Sequence, residues 1–225
     1  MLFVIATPIG NRGDITLRAI EVLRAVDLVA AEDTRHSGLL LQHLGISKPF
    51  VSYHQHNEAR RTAELITRLE AGENIALLTD AGLPGISDPG HRLLRACIAR
   101  NVPYTILPGP SSVLTALVGS GFAAEKFYFG GFLPTKSGGR QRDLLAALAR
   151  EETSIFFESP HRLLKTLAVC AGHASTQRAF CVARELTKQF EEFRIGTATD
   201  LLAHYSARPA KGEIVFLVAG AGSET

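Results

Sequence analysis

Two short segments concentrate side chains able to move protons. AAEDTRH, residues 30–36, brings together Glu32, Asp33, Arg35 and His36, and SYHQHNE, residues 52–58, brings together His54, His56 and Glu58. Carboxylates and imidazoles serve as general acids and bases or as metal ligands. The first segment follows an apolar run, and acids at the start of a helix, favoured by its dipole, account for it as well as catalysis does. In the second, histidines at i and i+2 share one face of an extended chain, a spacing compatible with metal ligation. No further ligand is suitably spaced, so no metal is expected. A third polar segment, ARELTK at 183–188, surrounds a turn with Arg184, Glu185 and Lys188, which either face a ligand or close an exposed, salt-bridged strand end.

Three glycine- and proline-rich stretches add a second kind of chemistry. ATPIGNRGD (6–14), TDAGLPGISDPG (79–90) and PGPSS (108–112) each directly follow a short apolar run. In an α/β sheet such loops sit at the carboxyl ends of the strands, where ligands bind and small residues let backbone groups approach them. None contains GxxxxGK[ST], and no GxGxxG opens a helix after a strand, which disfavours ATP and NAD. A ligand with an adenosine and an amino-acid moiety, held by backbone and small side chains, suits them better.

The elements that position these loops follow from periodicity. LFVIA, DLVAAED, FVSYH, NIALLT and VPYTILPG alternate with amphipathic stretches, the pattern of a largely parallel sheet flanked by helices. Asp88 before Pro89 and Ser159 before Pro160 have the form of a capping side chain ahead of a first-turn proline, so helices are expected over about 88–100 and from about 160. In the second half KFYFGGF, TSIFFES, RAFCVAR, EEFRIGT and GEIVFLV are expected strands with short links and mixed or antiparallel pairing, and KSGGRQR (136–142) an expected mobile loop. The fold class is therefore α/β with two lobes: an N-terminal lobe over 1–112 with a mainly parallel sheet, and a C-terminal lobe over 113–225 with a mixed sheet.

Composition sets outer limits. The chain has 225 residues, a net charge of +2 and 46% hydrophobic residues. This mild basicity permits a polyanionic partner without requiring one. Cys97, Cys170 and Cys181 form no CxxC pair and are expected as buried thiols. No run has the length of a membrane span, and LFVIATPI is too short for a signal core with its cleavage site, so a cytoplasmic protein with no membrane partner is expected.

The order of ATPIGNRGDITLRA, AAEDTRH, SYHQHNE, DAGLPGISDPG, PGPSS, FFESPHRL, ARELTK and GEIVFLV resembles the tetrapyrrole-methylase superfamily, and within it the branch that methylates the 2′-oxygen of a cytidine ribose in 16S rRNA. The similarity spans essentially the whole chain. Leu83 stands where the family's DAGTP segment has threonine, and Arg12 where its NLGD has leucine. The resemblance implies S-adenosyl-L-methionine in a cofactor cleft between the lobes, contacted by Pro8, Ala81, Gly82, Leu83, Ile86, Ser111 and Ser112 from the first lobe and by Glu158, Ser159, Leu186 and Thr187 from the second.

It also implies an RNA partner, 16S rRNA within the 30S subunit, rather than DNA, and a homodimer. Glu32, Asp33, Arg35, His54, His56 and Glu58 are then the candidates for handling the proton of a ribose hydroxyl, with the base itself unassigned. Arg12, Arg35, Arg60, Arg61, Lys136, Arg140, Arg142 and Arg162 are candidate phosphate contacts. Other functions compatible with the fold are C-methylation of a corrin or porphyrin intermediate and a non-catalytic ribosome-binding factor.

Overall fold

The computed structural model describes residues 1–175 and 177–222. The chain divides into two compact units, Met1–Ser111 and Ser112–Thr225.

The first unit is built on β1 (Leu2–Ile5), β2 (Leu28–Ala31), β3 (Phe50–Ser52), β4 (Ile75–Leu78) and β5 (Tyr104–Leu107), alternating with α1 (Leu17–Ala25), α2 (Thr34–His43), α3 (Glu58–Glu70) and α4 (His91–Ala99). The strands form one sheet in the order β3-β2-β4-β1-β5, and every pair is parallel. Both faces are covered, which is why the central strands are apolar throughout rather than alternating. Leu2, Val4, Ala30, Ile75 and Leu77 pack with Leu65 and Leu69 of α3 and Leu93 and Cys97 of α4. Ile5, Val29, Ala76 and Leu78 pack with Ala19 and Leu23 of α1 and Leu40 and Leu41 of α2 on the opposite face. The chain thus leaves β4 toward one face and leaves its neighbours β1 and β2 toward the other. Divergence of this kind opens a crevice at the carboxyl edge of the sheet.

The second unit contains α5 (Ser112–Ser120), β6 (Phe127–Phe132), α6 (Ser137–Ala149), β7 (Thr153–Glu158), α7 (Leu163–His173), β8 (Ala179–Arg184), β9 (Glu192–Thr197), α8 (Ala198–Ala207) and β10 (Ile214–Val218). Its sheet runs β6-β7-β10-β8-β9, parallel at β6–β7 and antiparallel elsewhere. α6, α7 and α8 pack Leu144, Leu167, Cys170, Leu201 and Tyr205 onto Phe156, Phe180, Val182 and Phe216. The rings of Phe180 and Phe216 stack at 5.9 Å, and α5 packs against β8, β9 and β10.

Three local expectations fail for identifiable reasons. KSGGRQR is not a loop: α6 begins at Ser137, and its glycines lie in the first turn. A Cβ on Gly139 would stand 3.1 Å from Pro134 Cβ, and the buried Arg140 donates to the Thr135 carbonyl; packing outweighs the helix cost of glycine. Asp88 and Ser159 are not helix caps. α4 starts after Gly90 and α7 after Arg162, neither with a capping side chain. Pro89 and Pro160 occupy turns ahead of these helices, and Ser159 Oγ accepts from the His161 N–H within its turn, at 3.3 Å. Finally, β3 ends at Ser52, so His54 and His56 lie beyond the strand and do not share its face.

Candidate functional site

At the carboxyl edge of the first sheet the loops after β1 and β4 are stitched together. Thr7 and Gly82 exchange backbone hydrogen bonds at 2.9 and 3.0 Å, and Thr7 Oγ1 donates to the Thr79 carbonyl at 3.0 Å. Gly82 adopts φ 78, a conformation side chains disfavour. A Cβ on Gly109, in the loop after β5, would come within 2.9 Å of Ala6 Cβ, so the third loop lies close against the first. Pro8, Ala81, Gly82, Leu83 and Ile86 are gathered along this stitched edge. Ile86 is 46% exposed, whereas Leu83 packs against the core shared by α3 and α4. Backbone groups in tight turns beside exposed apolar carbon fit the adenosine and amino-acid ends of S-adenosylmethionine. Ser111 ends the first unit and Ser112 opens α5 in the second; both are half-buried.

The candidate proton-handling residues separate into two groups. Asp33 receives the Arg35 N–H at 2.8 Å and its guanidinium at 3.1 Å, an exposed pair that holds the Asp33 carboxyl down to about 2 and makes it a poor base. Glu32 is drawn inward instead. Burial first, then the negative charge of Asp80, pushes its carboxyl above the ordinary range, and His54 is close enough to offset part of this. Asp88 completes the group: burial, Glu32 and Asp80 raise its carboxyl to about 7. Among the described residues no group of three or more His, Cys, Asp or Glu is placed to hold a metal ion.

His54 and His56 differ. His56 is exposed and its ring meets that of His54 at 5.9 Å. His54 is held by Asn57: Asn57 Oδ1 accepts the His54 backbone N–H at 2.9 Å, and its Nδ2 donates to the Ser52 carbonyl and lies 3.1 Å from His54 Nε2. The backbone bond fixes the amide orientation, so the Asn57 amide group meets the ring at Nε2 and leaves Nδ1 as its other nitrogen. That Nδ1 is buried without a hydrogen-bond partner among the described residues. Glu58 lies 3.5 Å from Arg92 on α4.

Between the starts of α3 and α4 lies a cavity of about 630 Å³ whose wall includes Glu58, Ser87, Asp88, His91, Arg92 and Arg95. Asp88 and Asp80 were absent from the candidates drawn from sequence. The Asp88–Pro89 pair has the form of a helix cap, and only the fold shows it facing Glu32 and Asp80.

In the second unit Glu158 is 3% exposed and its carboxylate is fully engaged. It accepts from the Ser159 N–H at 2.7 Å, from the Thr166 hydroxyl and from Arg162 at 2.9 Å. Arg162 also donates to the Leu133 carbonyl at 2.9 Å. The Glu158 carboxylate therefore braces the turn after β7. Leu186 is buried, while Glu185 and Thr187 take φ 49 and 62, a tight turn fixed by Lys188 to Glu185 at 2.9 Å and to Glu213 at 2.8 Å. Of the cationic candidates, Arg12, Arg60, Lys136 and Arg142 are exposed and Arg61 is half-buried. Arg35 is 90% exposed beside Asp33, whereas Arg140 is buried and Arg162 is held internally.

The chain is 50% identical over 225 residues to a Synechocystis sp. protein named ribosomal RNA small subunit methyltransferase I, covering 100% of this chain and 80% of that one. A Haemophilus influenzae protein of the same name is 47% identical over 223 residues, covering 98% and 78%. Among solved structures, the methyltransferase CobJ superposes with a TM-score of 0.72 at 16% identity, covering 100% of this chain and 95% of that one. Uroporphyrin-III-C-methyltransferase from Thermus thermophilus gives 0.67 at 20% identity, covering 97% and 93%. These two structures share the fold of this chain: a parallel-sheet unit followed by a mixed-sheet unit. The family model described as tetrapyrrole (corrin/porphyrin) methylases matches residues 1–202, and together with the near-full-length relatives it shows that the chain belongs to the tetrapyrrole methylase family.

Proposed function

We propose that the protein transfers a methyl group from S-adenosylmethionine to the 2′-oxygen of a cytidine ribose in 16S rRNA of the small ribosomal subunit. The observation that carries this reading is the 50% identity, along the whole chain, to a protein named for methylating small-subunit ribosomal RNA. The cofactor supplies an electrophilic methyl on a positively charged sulfur. The chain's own task is to hold a hydroxyl about 3 Å from that carbon, in line with the leaving sulfur, and to take its proton.

Pro8, Ala81, Gly82, Leu83, Ile86 and Ser111 from the first unit are the proposed cofactor contacts there. Leu83, in place of the family's threonine, leaves the backbone contacts of its loop intact. Ser112, Ser159, Leu186, Thr187 and the Glu158 backbone are those of the second unit. The His54 ring and the carboxyl of Glu32 are proposed to shape the ribose site. The exposed Arg12, Arg35, Lys136 and Arg142 are proposed phosphate contacts, each releasing counterions as RNA binds.

Among the described residues no helix is long and apolar enough to cross a membrane. We further propose that the protein is cytoplasmic, ribosome-directed and homodimeric. The testing experiment is incubation of under-methylated 30S subunits with enzyme and methyl-labelled cofactor. Label in 16S rRNA supports the reading. Label transferred only to a porphyrinoid contradicts it. Light scattering at micromolar concentration checks the dimer, and a monomeric mass contradicts it.

A further inference from the structure

The cavity between the starts of α3 and α4 is the part of the first unit whose chemistry the proposed cofactor contacts do not use. Its volume, about 630 Å³, is that of a small-ligand site. One wall is cationic: His91, Arg92 and Arg95 stand on the first turns of α4, a helix whose start carries no capping side chain, so its leading N–H groups and positive dipole end reinforce the arginines. The other wall carries Asp88.

Two buried polar atoms near this edge lack protein partners among the described residues, Thr79 Oγ1 and His54 Nδ1. Thr79 is 1% exposed and directly follows β4. Strand alternation places it with Ile75 and Leu77 on the face that α3 and α4 cover. Neither residue lines the cavity; its polar character comes from Glu58, Ser87, Asp88, His91, Arg92 and Arg95, which suit a polar occupant.

We propose that this cavity seats a ribose–phosphate unit of an RNA strand, with Arg92, Arg95 and the first N–H groups of α4 on the phosphodiester and the Asp88 carboxylate accepting the proton of a ribose hydroxyl. The inference rests on the function proposed above and names its base. In the step, the ribose O–H bond breaks and its proton passes to an Asp88 oxygen. The oxygen lone pair forms the new O–CH₃ bond, and the methyl–sulfur bond breaks with its electron pair remaining on sulfur, which becomes a neutral thioether. Asp88 then releases the proton to water.

The alternatives among the carboxylates are worse placed. Asp33 is held to about 2 by Arg35, and Glu58 is already the ion-pair partner of Arg92. Asp88 faces Glu32 from the end of β2 and Asp80 from the end of β4, and shares the cavity with Glu58 from α3 and His91, Arg92 and Arg95 from α4; burial first, then Glu32 and Asp80, raise it to about 7, the range in which a base is half-available at neutral pH.

Three readouts test this. Side-chain carboxyl ¹³C NMR of the cofactor-free wild-type protein, with the Asp88 signal identified by its loss in Asp88→Asn, is expected to show titration within about one unit of 7; titration near 4 overturns the inference. The dinucleotide CpC is expected to shift the amide signals of Gly90 to Leu93, and the Arg92→Ala/Arg95→Ala double variant to bind it about tenfold more weakly; shifts confined elsewhere, or unchanged binding, overturn it. In methyl transfer to 30S subunits, Asp88→Asn is expected to lower kcat about 10²- to 10⁴-fold with cofactor KM unchanged, and to abolish the rise in rate between about pH 6 and 8. A rate within threefold of wild type overturns it. Failure of the wild-type enzyme to label 16S rRNA defeats the proposed function instead, while the titration and dinucleotide measurements still decide the fate of Asp88 and the cavity.

Discussion

Replacing Glu158 separates a structural brace from a cofactor ligand. Its side chain is fully buried, Arg162 is 19% exposed, and the carboxylate serves Ser159 N–H, Thr166 and Arg162 together. Removing one partner of a buried pair costs about 3–5 kcal/mol. Arg162 retains some water and the Leu133 carbonyl, so Glu158→Ala is expected at the low end, about 3 kcal/mol. Glu158→Gln keeps an acceptor of nearly the same shape for Ser159 or Thr166 and loses the charge, for about 1–2 kcal/mol. Urea unfolding followed by circular dichroism measures both. With a slope of about 2–3 kcal/mol per molar, the alanine variant should shift its midpoint down by about 1–1.5 M. Cofactor affinity by calorimetry should change less than threefold for the glutamine variant, because only backbone is proposed to face the ligand there. A loss below about 1 kcal/mol for alanine, or a glutamine variant that folds normally and loses cofactor binding, refutes the reasoning.

Other consequences can be checked separately. Asp88 has its folded carboxyl raised to about 7 above an unfolded value near 4, so its contribution is full below about pH 4 and is lost as pH rises through 7. Asp88→Asn should therefore gain stability relative to wild type across that window, by about 1–2 kcal/mol after allowance for solvent access to the cavity, in urea melts at pH 4, 6 and 8; a constant difference contradicts this. Gly109→Ala places a methyl 2.9 Å from Ala6 Cβ and should cost about 1–3 kcal/mol while raising cofactor KM, because it wedges apart the loops after β1 and β5. Arg142→Ala and Lys136→Ala should each lower the slope of log affinity against log salt for 30S rRNA by about 1; an unchanged slope removes that residue from the interface. Cys97, Cys170 and Cys181 are buried, with thiols raised to about 11, 12 and 12, and should resist alkylation in the folded protein at pH 8.

The parallel sheet was legible because its strands are short apolar runs spaced by amphipathic stretches, and the central strands β2 and β4, buried on both faces, are apolar throughout and lead into acids. The mixed pairing of the second sheet followed from short links such as that between β8 and β9. Helix starts were misread where proline follows aspartate or serine, since the same pair serves a cap or a turn and only packing decides. Gly138 and Gly139 in α6 misled for the related reason that local propensity is small beside the contacts of Pro134 and Arg140. His54 was legible as a candidate, but its difference from His56 depends on Asn57, and the significance of Asp88 depends on carboxylates at the ends of other strands. Such groups meet only once β2 and β4 are side by side.

The most direct test of the central claim is mass mapping of ribose methylation in 16S rRNA after under-methylated 30S subunits are incubated with the enzyme and S-adenosylmethionine. One additional methyl on the 2′-oxygen of a cytidine is expected, dependent on both enzyme and cofactor. Methylation on a base, or none on 16S rRNA while a porphyrinoid accepts the methyl group, would contradict it.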